Sequence, residues 1–168
     1  EVADAEDPTR FYAMLAAVAN RRQAVLMAPT EVLAHQHFLT LRRYLAGSRV
    51  RTALLVGGLR SRDRKELVAK VADHEVDLLV GTHALIQADV AFARLGLVVV
   101  DEQHKFGVLQ RQKLRQKGRH PDVLVMTATP IPRTLALTVF GDLDVSVLDE
   151  MPPGRQPVTS RAFGREKL

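Results

Sequence analysis

Short runs of aliphatic and β-branched residues alternate with longer segments of helical periodicity along most of this chain of 168 residues. The runs predict strands at residues 24–28, 51–56, 77–81, 96–100, 123–127 and 144–148. The helical segments are residues 10–20, 32–41, 61–72, 108–117 and 132–140, with Ser61 as a possible N-cap of the third. Strands separated by helices predict βαβ units, and therefore a three-layer α/β domain with a mainly parallel sheet. In such a domain ligands bind at the carboxyl ends of the strands.

The composition limits the classes of protein to which this chain can belong. With 46% hydrophobic residues the chain is globular rather than disordered, and the absence of cysteine excludes a disulfide framework and thiolate metal sites. The longest apolar run, residues 11–19, is far shorter than the roughly 20 residues that span a bilayer. The first residues are acidic where a secretory signal would be basic, so we expect a cytoplasmic domain. A net charge of +5, which is 24 basic minus 19 acidic residues, permits binding to phosphate backbones without demanding it.

The most informative motif is Asp101-Glu102-Gln103-His104, directly after the hydrophobic run 97–100. Two adjacent acids that leave a buried parallel strand can hold Mg²⁺ through one carboxylate and orient a hydrolytic water with the other. An arbitrary Asp-Glu pair after a strand is more often a solvated turn. Here the hydrophobic run, the Gln-His and the next motif reverse that preference.

The next motif is a strand that runs into Thr127-Ala128-Thr129-Pro130. Threonines at this point can hydrogen-bond side chains at a neighbouring strand end, for which Glu102 and His104 are candidates. They can equally be local backbone caps.

Two weaker signals of the same form stand at other strand ends. Pro29-Thr30 opens the helix after the first strand, and Gly81-Thr82-His83 follows the strand at 77–81. A helix N-terminus beside a hydroxyl offers free N–H groups to a phosphate, although Thr30 is also an ordinary N-cap candidate. The recurrence at successive strand ends favours a shared ligand edge.

Together these residues resemble the first RecA-like lobe, of the P-loop NTPase type, of superfamily 2 helicases, and within them the RecG-type ATP-dependent DNA helicases. The resemblance is carried by residues 28–34, 80–86, 101–108 and 127–135 and covers most of the chain. The transcription-repair coupling translocase is similar around residues 127–135, but the Gln-His after the two acids favours the RecG type.

The resemblance implies roles at matching positions. Asp101 would help bind Mg²⁺, Glu102 would activate the attacking water, and His104 would couple the nucleotide site to lobe motion. Thr127, Ala128 and Thr129 match a coupling motif. The positions that match the DNA side of the family are Pro29, Thr30, Gly58, Thr82 and His83. The family uses ATP and Mg²⁺, translocates on duplex DNA and remodels branched DNA at stalled replication forks in recombination and repair.

The sequence departs from the family at its start. A Gly-x-x-x-x-Gly-Lys-Ser/Thr phosphate loop should lie in or just before residues 1–12, but no Gly-Lys pair occurs in the chain, and those twelve residues hold four acids and no glycine. We expect an atypical segment at 1–12, the lobe at 13–150, and a linker at 151–168 towards a second RecA-like lobe. A wedge domain of the parent would recognise the fork. The fragment alone is expected to hydrolyse no ATP and to bind the nucleotide weakly; the alternative is a catalytically dead DNA-binding or interaction module.

Three other features of the sequence are less informative. His35 and His37 stand two apart on a predicted helix, so they point to different faces and make a poor metal pair. The basic stretch at residues 111–119 is typical of an exposed helix face, with Leu114 in the core. Arg133 is either a surface charge or part of a lobe interface.

Overall fold

The computed structural model describes residues 9–102 and 113–127, together with residues 144 and 146. Asp7–Pro130 form one compact unit; of the other, Glu1–Glu6 with Ile131–Leu168, only Asp144 and Ser146 are described, and both are exposed. The helices of the first unit are α1 (Thr9–Ala19), α2 (Glu31–Tyr44) and α3 (Ser61–Ala72), and a short 3-10 helix covers His83–Ile86. Its strands are β1 (Gln23–Met27), β2 (Thr52–Leu55), β3 (Leu78–Gly81), β4 (Leu95–Val100) and β5 (Asp122–Val125).

Most predicted elements are confirmed within a few residues of their bounds. The predicted strand at 144–148 and the predicted helix at 132–140 lie outside the residues that the structure describes. Of the helix predicted at 108–117, residues 113–115 are described as helical, and 116–117 already form a turn. No helix in the described part of the chain is long and apolar enough to cross a membrane.

The five described strands form one parallel sheet in the order β2-β3-β1-β4-β5. The chain enters at the centre with β1, adds β2 and β3 on one side, and then crosses to add β4 and β5 on the other. The order therefore reverses between β3 and β4, on either side of β1. Such a reversal opens a crevice at the carboxyl ends of the strands, which is where ligands bind in open α/β sheets.

Both faces of the sheet are buried, and the side chains alternate between them as the strand period requires. In β1, Ala24 and Leu26 pack with α1 and α2, whereas Val25 and Met27 pack with α3 on the other face. Leu114 is fully buried in the α3 face, as the sequence predicts. Helices on both faces confirm the three-layer α/β architecture.

Helices α1 and α3 end in the same kind of motif, although neither has the glycine that usually permits it. Arg21 and His74 adopt left-handed φ values of 56° and 58°. After α1, the Arg21 N–H donates to the Val18 carbonyl at 2.8 Å and the Arg22 N–H to the Ala17 carbonyl at 3.0 Å. These two hydrogen bonds are those of a Schellman motif, which satisfies the last carbonyls of a helix and turns the chain sharply.

The predicted cap of α3 is wrong by one residue. Ser61 is the first residue of the helix, and the N-cap is Arg60, which makes no side-chain capping hydrogen bond. A serine at the first turn is compatible with a helix start, but here its hydroxyl does not cap the free N–H groups. Helix α3 is therefore held by the packing of its apolar face, with Val71 buried, more than by its cap.

Gln23 is a fully buried polar residue at the start of β1 that joins three parts of the fold. Its side-chain amide donates to the carbonyls of Val71 and Val76 at 2.9 and 2.8 Å, and its side-chain oxygen accepts from the Arg94 N–H at 3.0 Å. A buried amide is tolerated only when its groups are paired, as they are here. Gln23 thus fixes the end of α3 and the start of β4 against the central strand.

An ion pair between Arg51 and Asp77 ties the start of β2 to the start of β3. The Arg51 guanidinium donates from Nε to Oδ2 at 3.0 Å and from Nη2 to Oδ1 at 2.7 Å, and the Arg51 N–H donates to Oδ2 at 2.8 Å. The side-chain hydrogen bond from Arg51 holds the pKa of Asp77 below its ordinary value. Bidentate geometry of this kind is the stronger form of a surface ion pair.

We expect Arg51→Met to lower the free energy of unfolding at pH 7 by about 1 kcal/mol. The loss is no larger because the Arg51 side chain is half exposed, and solvent screens its interaction with Asp77. Because the folded-state pKa of Asp77 is lowered, this stabilisation is present above the ordinary value of 3.8 and is lost as pH falls through the folded-state pKa. Urea unfolding from pH 7 to pH 3 should show the two proteins converging below about pH 3.8.

The matched control is Lys70→Met, which breaks the exposed i,i+4 pair between Lys70 and Glu66. Both side chains are exposed, so the loss of that pair should lower the free energy of unfolding by less than Arg51→Met does. If both variants lose the same stability at pH 7, the bidentate geometry of Arg51 confers nothing beyond ordinary surface charge.

Candidate functional site

Those candidate site residues that the structure describes lie along one edge of the sheet, because the parallel strands all deliver them at their carboxyl ends. Hydrogen bonds continue the ladder past the strand ends. The Ala28 N–H donates to the Gly81 carbonyl at 2.8 Å, the Asp101 N–H to the Met27 carbonyl at 3.0 Å, and the Met126 N–H to the Val100 carbonyl at 2.9 Å. The segments that leave β1, β3, β4 and β5 are therefore fixed to one another where the candidate side chains begin.

Asp101 is the first residue after β4, and both oxygens of its carboxylate accept hydrogen bonds. The Nε2–H of His37, on α2, donates to Oδ2 at 2.7 Å, and the Glu102 N–H donates to Oδ1 at 3.0 Å. The guanidinium of Arg10, on α1, lies 3.9 Å from Oδ2. The carboxylate is thus oriented by three different elements, with its side chain 14% exposed.

The charge of Asp101 is stabilised in this position. Burial opposes ionisation, but the hydrogen bond from His37, electrostatic attraction to His37 and Arg10, and the Glu102 N–H together hold the pKa of Asp101 below its ordinary value. Asp101 is therefore ionised at neutral pH in a half-buried place. An oriented, ionised carboxylate at a strand end is an oxygen ligand suited to a hard cation.

Glu102 has a backbone conformation that glutamate rarely adopts. Its φ is 48°, in the left-handed region, and its side chain is partly exposed. A left-handed residue other than glycine costs on the order of 1 kcal/mol or more, and such residues cluster at functional sites. The conformation turns the chain immediately after Asp101, so that two consecutive acids stand at the strand end instead of continuing the strand.

The segment after β1 forms a capped helix start. The Thr30 hydroxyl accepts a hydrogen bond from the Leu33 N–H at 3.2 Å and is the N-cap of α2. Glu31 Oε1 accepts from the Gly57 N–H at 3.0 Å, which ties this helix start to the turn after β2. Pro29 is partly exposed, and Thr30 and Gly58 are exposed, so all three can be reached from solvent.

The segment after β3 separates its two candidate residues. Thr82 is 2% exposed, and its hydroxyl has no hydrogen-bond partner among the described residues, whereas His83 is exposed. His83 and Gly57 line a shallow cleft of about 420 Å³ together with Arg64 and Gln87. At this strand end the side chain presented to solvent is that of His83.

Thr127 lies just after β5, on the same edge of the sheet, and is partly exposed. Three further residues singled out in the sequence, His104, Ala128 and Thr129, lie outside the described residues. The structure therefore brings Asp101, Glu102 and Thr127 to the ends of the neighbouring strands β4 and β5. The other described candidates stand over β1, β2 and β3.

His37 is the site residue that the sequence prediction missed. His35 is exposed and His37 is 3% exposed, so the two histidines do face different ways, as the spacing predicts. The signal for His37 was its position: it lies three residues after buried Ala34 and four before buried Leu41. This spacing places it on the apolar stripe of the helix, and a histidine there needs a polar partner.

The carboxylates suit a magnesium ion that arrives with a nucleotide. No group of three His, Asp or Glu side chains in residues 9–102 and 113–127 is arranged to enclose a metal by itself. Mg²⁺ does not require one, since it commonly takes one or two protein carboxylates and completes its shell with water and substrate phosphates. The described residues include no glycine-rich phosphate loop, so they fit the metal but offer no cradle for the triphosphate.

Comparison with known proteins agrees with this geometry. The chain is 54% identical over 156 residues to the ATP-dependent DNA helicase RecG of Streptococcus pneumoniae, covering 93% of this chain and 23% of that protein. It is 56% identical over 146 residues to the RecG of Bacillus subtilis, covering 87% and 21%. The chain thus spans about a fifth of the length of these curated relatives.

Solved structures give the same result. A structure of RecG bound to a three-way DNA junction matches with a TM-score of 0.73 and 42% identity, over 90% of this chain and 20% of that one. The helicase MrfA, a DUF1998 helicase, matches with a TM-score of 0.62 at 18% identity, over 83% of this chain and 25% of that one, and supports the fold alone. Residues 10–138 match the DEAD/DEAH box helicase family. With its parallel sheet, and with its two acids at the end of β4, the chain belongs to the DEAD/DEAH box helicases.

Proposed function

We propose that this chain is the first RecA-like motor lobe of an ATP-dependent DNA helicase of the RecG type, with the lobe at residues 13–150. The observation that carries the proposal is the pair Asp101–Glu102. Asp101 is held ionised and oriented at the end of a buried parallel strand, and Glu102 turns away in a strained left-handed conformation. Similarity to RecG proteins over about nine-tenths of the chain supports the assignment.

The two acids would divide the work of ATP hydrolysis. Asp101 would hold Mg²⁺, because its ionised carboxylate is held in one orientation by hydrogen bonds from His37 and from the Glu102 N–H. Glu102 would orient the attacking water and accept its proton. Bound Mg²⁺ would supply charge neutralisation to the phosphoryl group in transfer. His104, Thr127, Ala128 and Thr129 would pass the change at the nucleotide to the neighbouring lobe.

The same edge would contact DNA over β1, β2 and β3. Exposed Thr30, Gly58 and His83, with partly exposed Pro29, offer hydroxyl, backbone and imidazole groups to a phosphate backbone. Thr82 would support this surface from beneath, since its side chain is buried. In the parent protein these contacts would serve translocation on branched or duplex DNA and remodelling of stalled forks.

The isolated chain is proposed to be inactive. It has no Gly-Lys pair from which to build a phosphate loop, and a motor of this family also requires a second RecA-like lobe. Residues 151–168, with their prolines, would lead towards that lobe, and a wedge domain of the parent would recognise the branch. Nucleotide binding by the fragment is expected to be weak.

A chimera tests the proposal. The segment of Bacillus subtilis RecG that matches this chain is replaced by this chain, and the host supplies the rest of the motor, including the phosphate loop expected of the family. The chimera should hydrolyse ATP with stimulation by DNA. Glu102→Gln should lower kcat by at least about 100-fold, because it removes the base and keeps the shape. Steady-state phosphate release with and without a three-way junction is the measurement.

The isolated chain and a distant substitution are the controls. Asp63→Asn, on the exposed face of α3, should leave kcat unchanged. If the Glu102→Gln chimera retains more than a tenth of the kcat, Glu102 is not the base that activates the attacking water. ATP turnover by the isolated chain that Glu102→Gln abolishes would show that the fragment is itself a motor.

The alternative function is a catalytically dead DNA-binding or interaction module. The missing Gly-Lys pair favours it, as does the approach of Arg10 to within 3.9 Å of the Asp101 carboxylate, where a cation would compete with Mg²⁺. Calorimetric titration with MgATP of the chimera and of its Asp101→Asn variant separates the two. Magnesium-dependent binding that Asp101→Asn weakens supports the motor lobe. Binding that does not depend on Mg²⁺, binding that Asp101→Asn leaves unchanged, or no binding supports the module.

A further inference from the structure

The amino ends of the strands, at the edge of the sheet opposite Asp101, carry a cluster of cations. Arg22 directly precedes β1, Arg94 directly precedes β4, and Arg119 stands three residues before β5. Because these three strands are neighbours in the sheet, their preceding residues converge. The three arginines are exposed and, with Lys117, line a cleft of about 620 Å³, which we call the basic cleft.

Close packing fixes Arg22 in the wall of this cleft. The Schellman motif after α1 sets its backbone direction, and its aliphatic stem lies over Gly96 of β4. A Cβ built on Gly96 would stand only 2.5 Å from the Arg22 Cβ and 2.8 Å from its Cγ. Because position 96 is glycine, the aliphatic stem of Arg22 fits against β4, and the guanidinium extends towards the cleft.

The other side of the basic cleft is fixed by backbone contacts. The Lys117 ammonium donates to the carbonyls of Gln87 and Val90, both at 2.6 Å, which anchors the turn that bears Arg119. The neighbouring Gly118 packs so closely that a Cβ there would lie 3.0 Å from the Leu95 carbonyl oxygen. The cations are thus held on ordered backbone on both sides.

The charge of the basic cleft is not offset by its lining. None of the described residues that line it is an aspartate or a glutamate. The acid that acts electrostatically on Lys117 is Asp89, and its carboxylate is already held by the Arg64 guanidinium at 2.9 and 3.0 Å. Three exposed guanidinium groups around one concave surface, with no acid among the described residues of its walls, attract anions by focusing the local potential.

We infer that the basic cleft is a second nucleic-acid contact, which holds the phosphate backbone of a duplex on the edge of the lobe opposite the motif edge. An acidic protein partner is disfavoured, because stable protein interfaces need an apolar centre. The apolar residues that line the cleft are Phe92, Ala93 and Leu95, of which Leu95 is buried and Phe92 is only partly exposed. None of the large hydrophobic side chains that are exposed in the described part of the chain lines it; these are Tyr12, Val32, Leu39 and Tyr44. Guanidinium groups by themselves suffice for phosphates.

The test uses this chain as it stands and a fluorescein-labelled 30-base-pair duplex, with binding followed by anisotropy from 25 to 200 mM salt. The variant combines Arg22→Gln, Arg94→Gln and Arg119→Gln. The matched control combines Arg42→Gln, Arg43→Gln and Lys65→Gln, which removes the same charge from exposed positions on α2 and α3. Circular dichroism spectra establish that each protein is folded.

The variant should bind the duplex about tenfold or more weakly at low salt, and its slope of log K against log salt should fall by about 2.7, for three lost phosphate contacts. For the control variant, the slope of log K against log salt should differ from that of the starting protein by no more than about 0.9, the value for one phosphate contact. If both variants lose the same affinity for the duplex, the effect is one of net charge and the inference is overturned. The inference is also overturned if the starting protein does not bind the duplex, or if it binds a polyglutamate peptide more tightly than DNA.

This inference goes beyond the proposed function, and the two can fail separately. Hydrolysis of ATP by the chimera reports on Asp101 and Glu102 at the motif edge. Duplex binding by the isolated chain reports on the basic cleft, which contains neither acid. A chimera that is active while the cleft variant binds normally would leave the motor lobe in place and remove the second contact.

Discussion

Gly81→Ala is expected to destabilise the domain by about 3–5 kcal/mol, a large fraction of the stability of an ordinary domain. Gly81 ends β3, which pairs with β2 on one side and β1 on the other. A Cβ at this position would lie 2.2 Å from the carbonyl oxygen of Leu55 and about 3 Å from the side chain of Leu85. The obstacle on one side is backbone, so the overlap can be relieved only by moving β2 away from β3.

That movement would also disturb the candidate site, because Gly81 immediately precedes Thr82 and His83. We expect the urea midpoint of Gly81→Ala to fall well below that of the starting protein, with the circular dichroism signal of a folded domain lost at modest denaturant. The matched control is Gly58→Ala, where a Cβ meets nothing within 4 Å. The control should stay within about 0.5 kcal/mol of the starting protein. Equal midpoints for both variants would show that β2 and β3 are not packed as described.

The fold was predictable because its information is local. The strands that the structure describes are aliphatic runs, and α3 spans the predicted residues 61–72 without change. The parallel arrangement follows from the alternation of strands with helices, and the placement of the candidate residues at one edge follows from the parallel arrangement. The capping residue of α3 was predicted wrongly. A serine at the start of a helical segment can be the N-cap or the first helical residue, and here Arg60 is the N-cap and Ser61 is the first helical residue.

The contacts between distant elements could not be predicted, because no sequence spacing encodes them. His37 and Asp101 are 64 residues apart. They meet because α2, which packs against β2 and β3, carries His37 within reach of the residue that follows β4. The left-handed conformation of Glu102 is equally hidden, since nothing in an Asp-Glu pair requires it. The burial of Thr82 beside exposed His83 depends on how the turn after β3 packs against β2.

The basic stretch at residues 111–119 likewise shows what the sequence predicts and what only the structure reveals. Its composition predicts an exposed helix face, but the described part is a short helical segment followed by a turn, with Lys117 bonded to two backbone carbonyls. Only the sheet order brings Arg119 near Arg22 and Arg94, from parts of the chain more than 20 residues apart. The arginines were visible in the sequence, whereas their convergence required the topology.

His37→Leu is expected to destabilise the domain by about 2–3 kcal/mol, because it leaves the Asp101 carboxylate half-buried without its 2.7 Å hydrogen bond. Losing this hydrogen bond and electrostatic attraction should also raise the pKa of Asp101 from its lowered value, since burial would then oppose ionisation with less compensation. His37→Gln should lose less, about 1 kcal/mol, because the amide nitrogen of glutamine can occupy the place of Nε2 and still donate to Oδ2. Urea unfolding at pH 7 measures both differences.

A double-mutant cycle with Asp101→Asn assigns the loss to this one contact. If the hydrogen bond between His37 and Asp101 is the cause, the two substitutions will not add, and the coupling energy should be about 1.5–3 kcal/mol, as for a hydrogen bond to a charged group. A coupling below about 0.5 kcal/mol, within the ordinary error of additivity, would mean that His37 stabilises α2 by packing alone. In the chimera, a strong coupling also predicts that His37→Leu raises the Mg²⁺ concentration needed for half-maximal ATP hydrolysis more than His37→Gln does, because the carboxylate would no longer be held in one orientation before the cation binds.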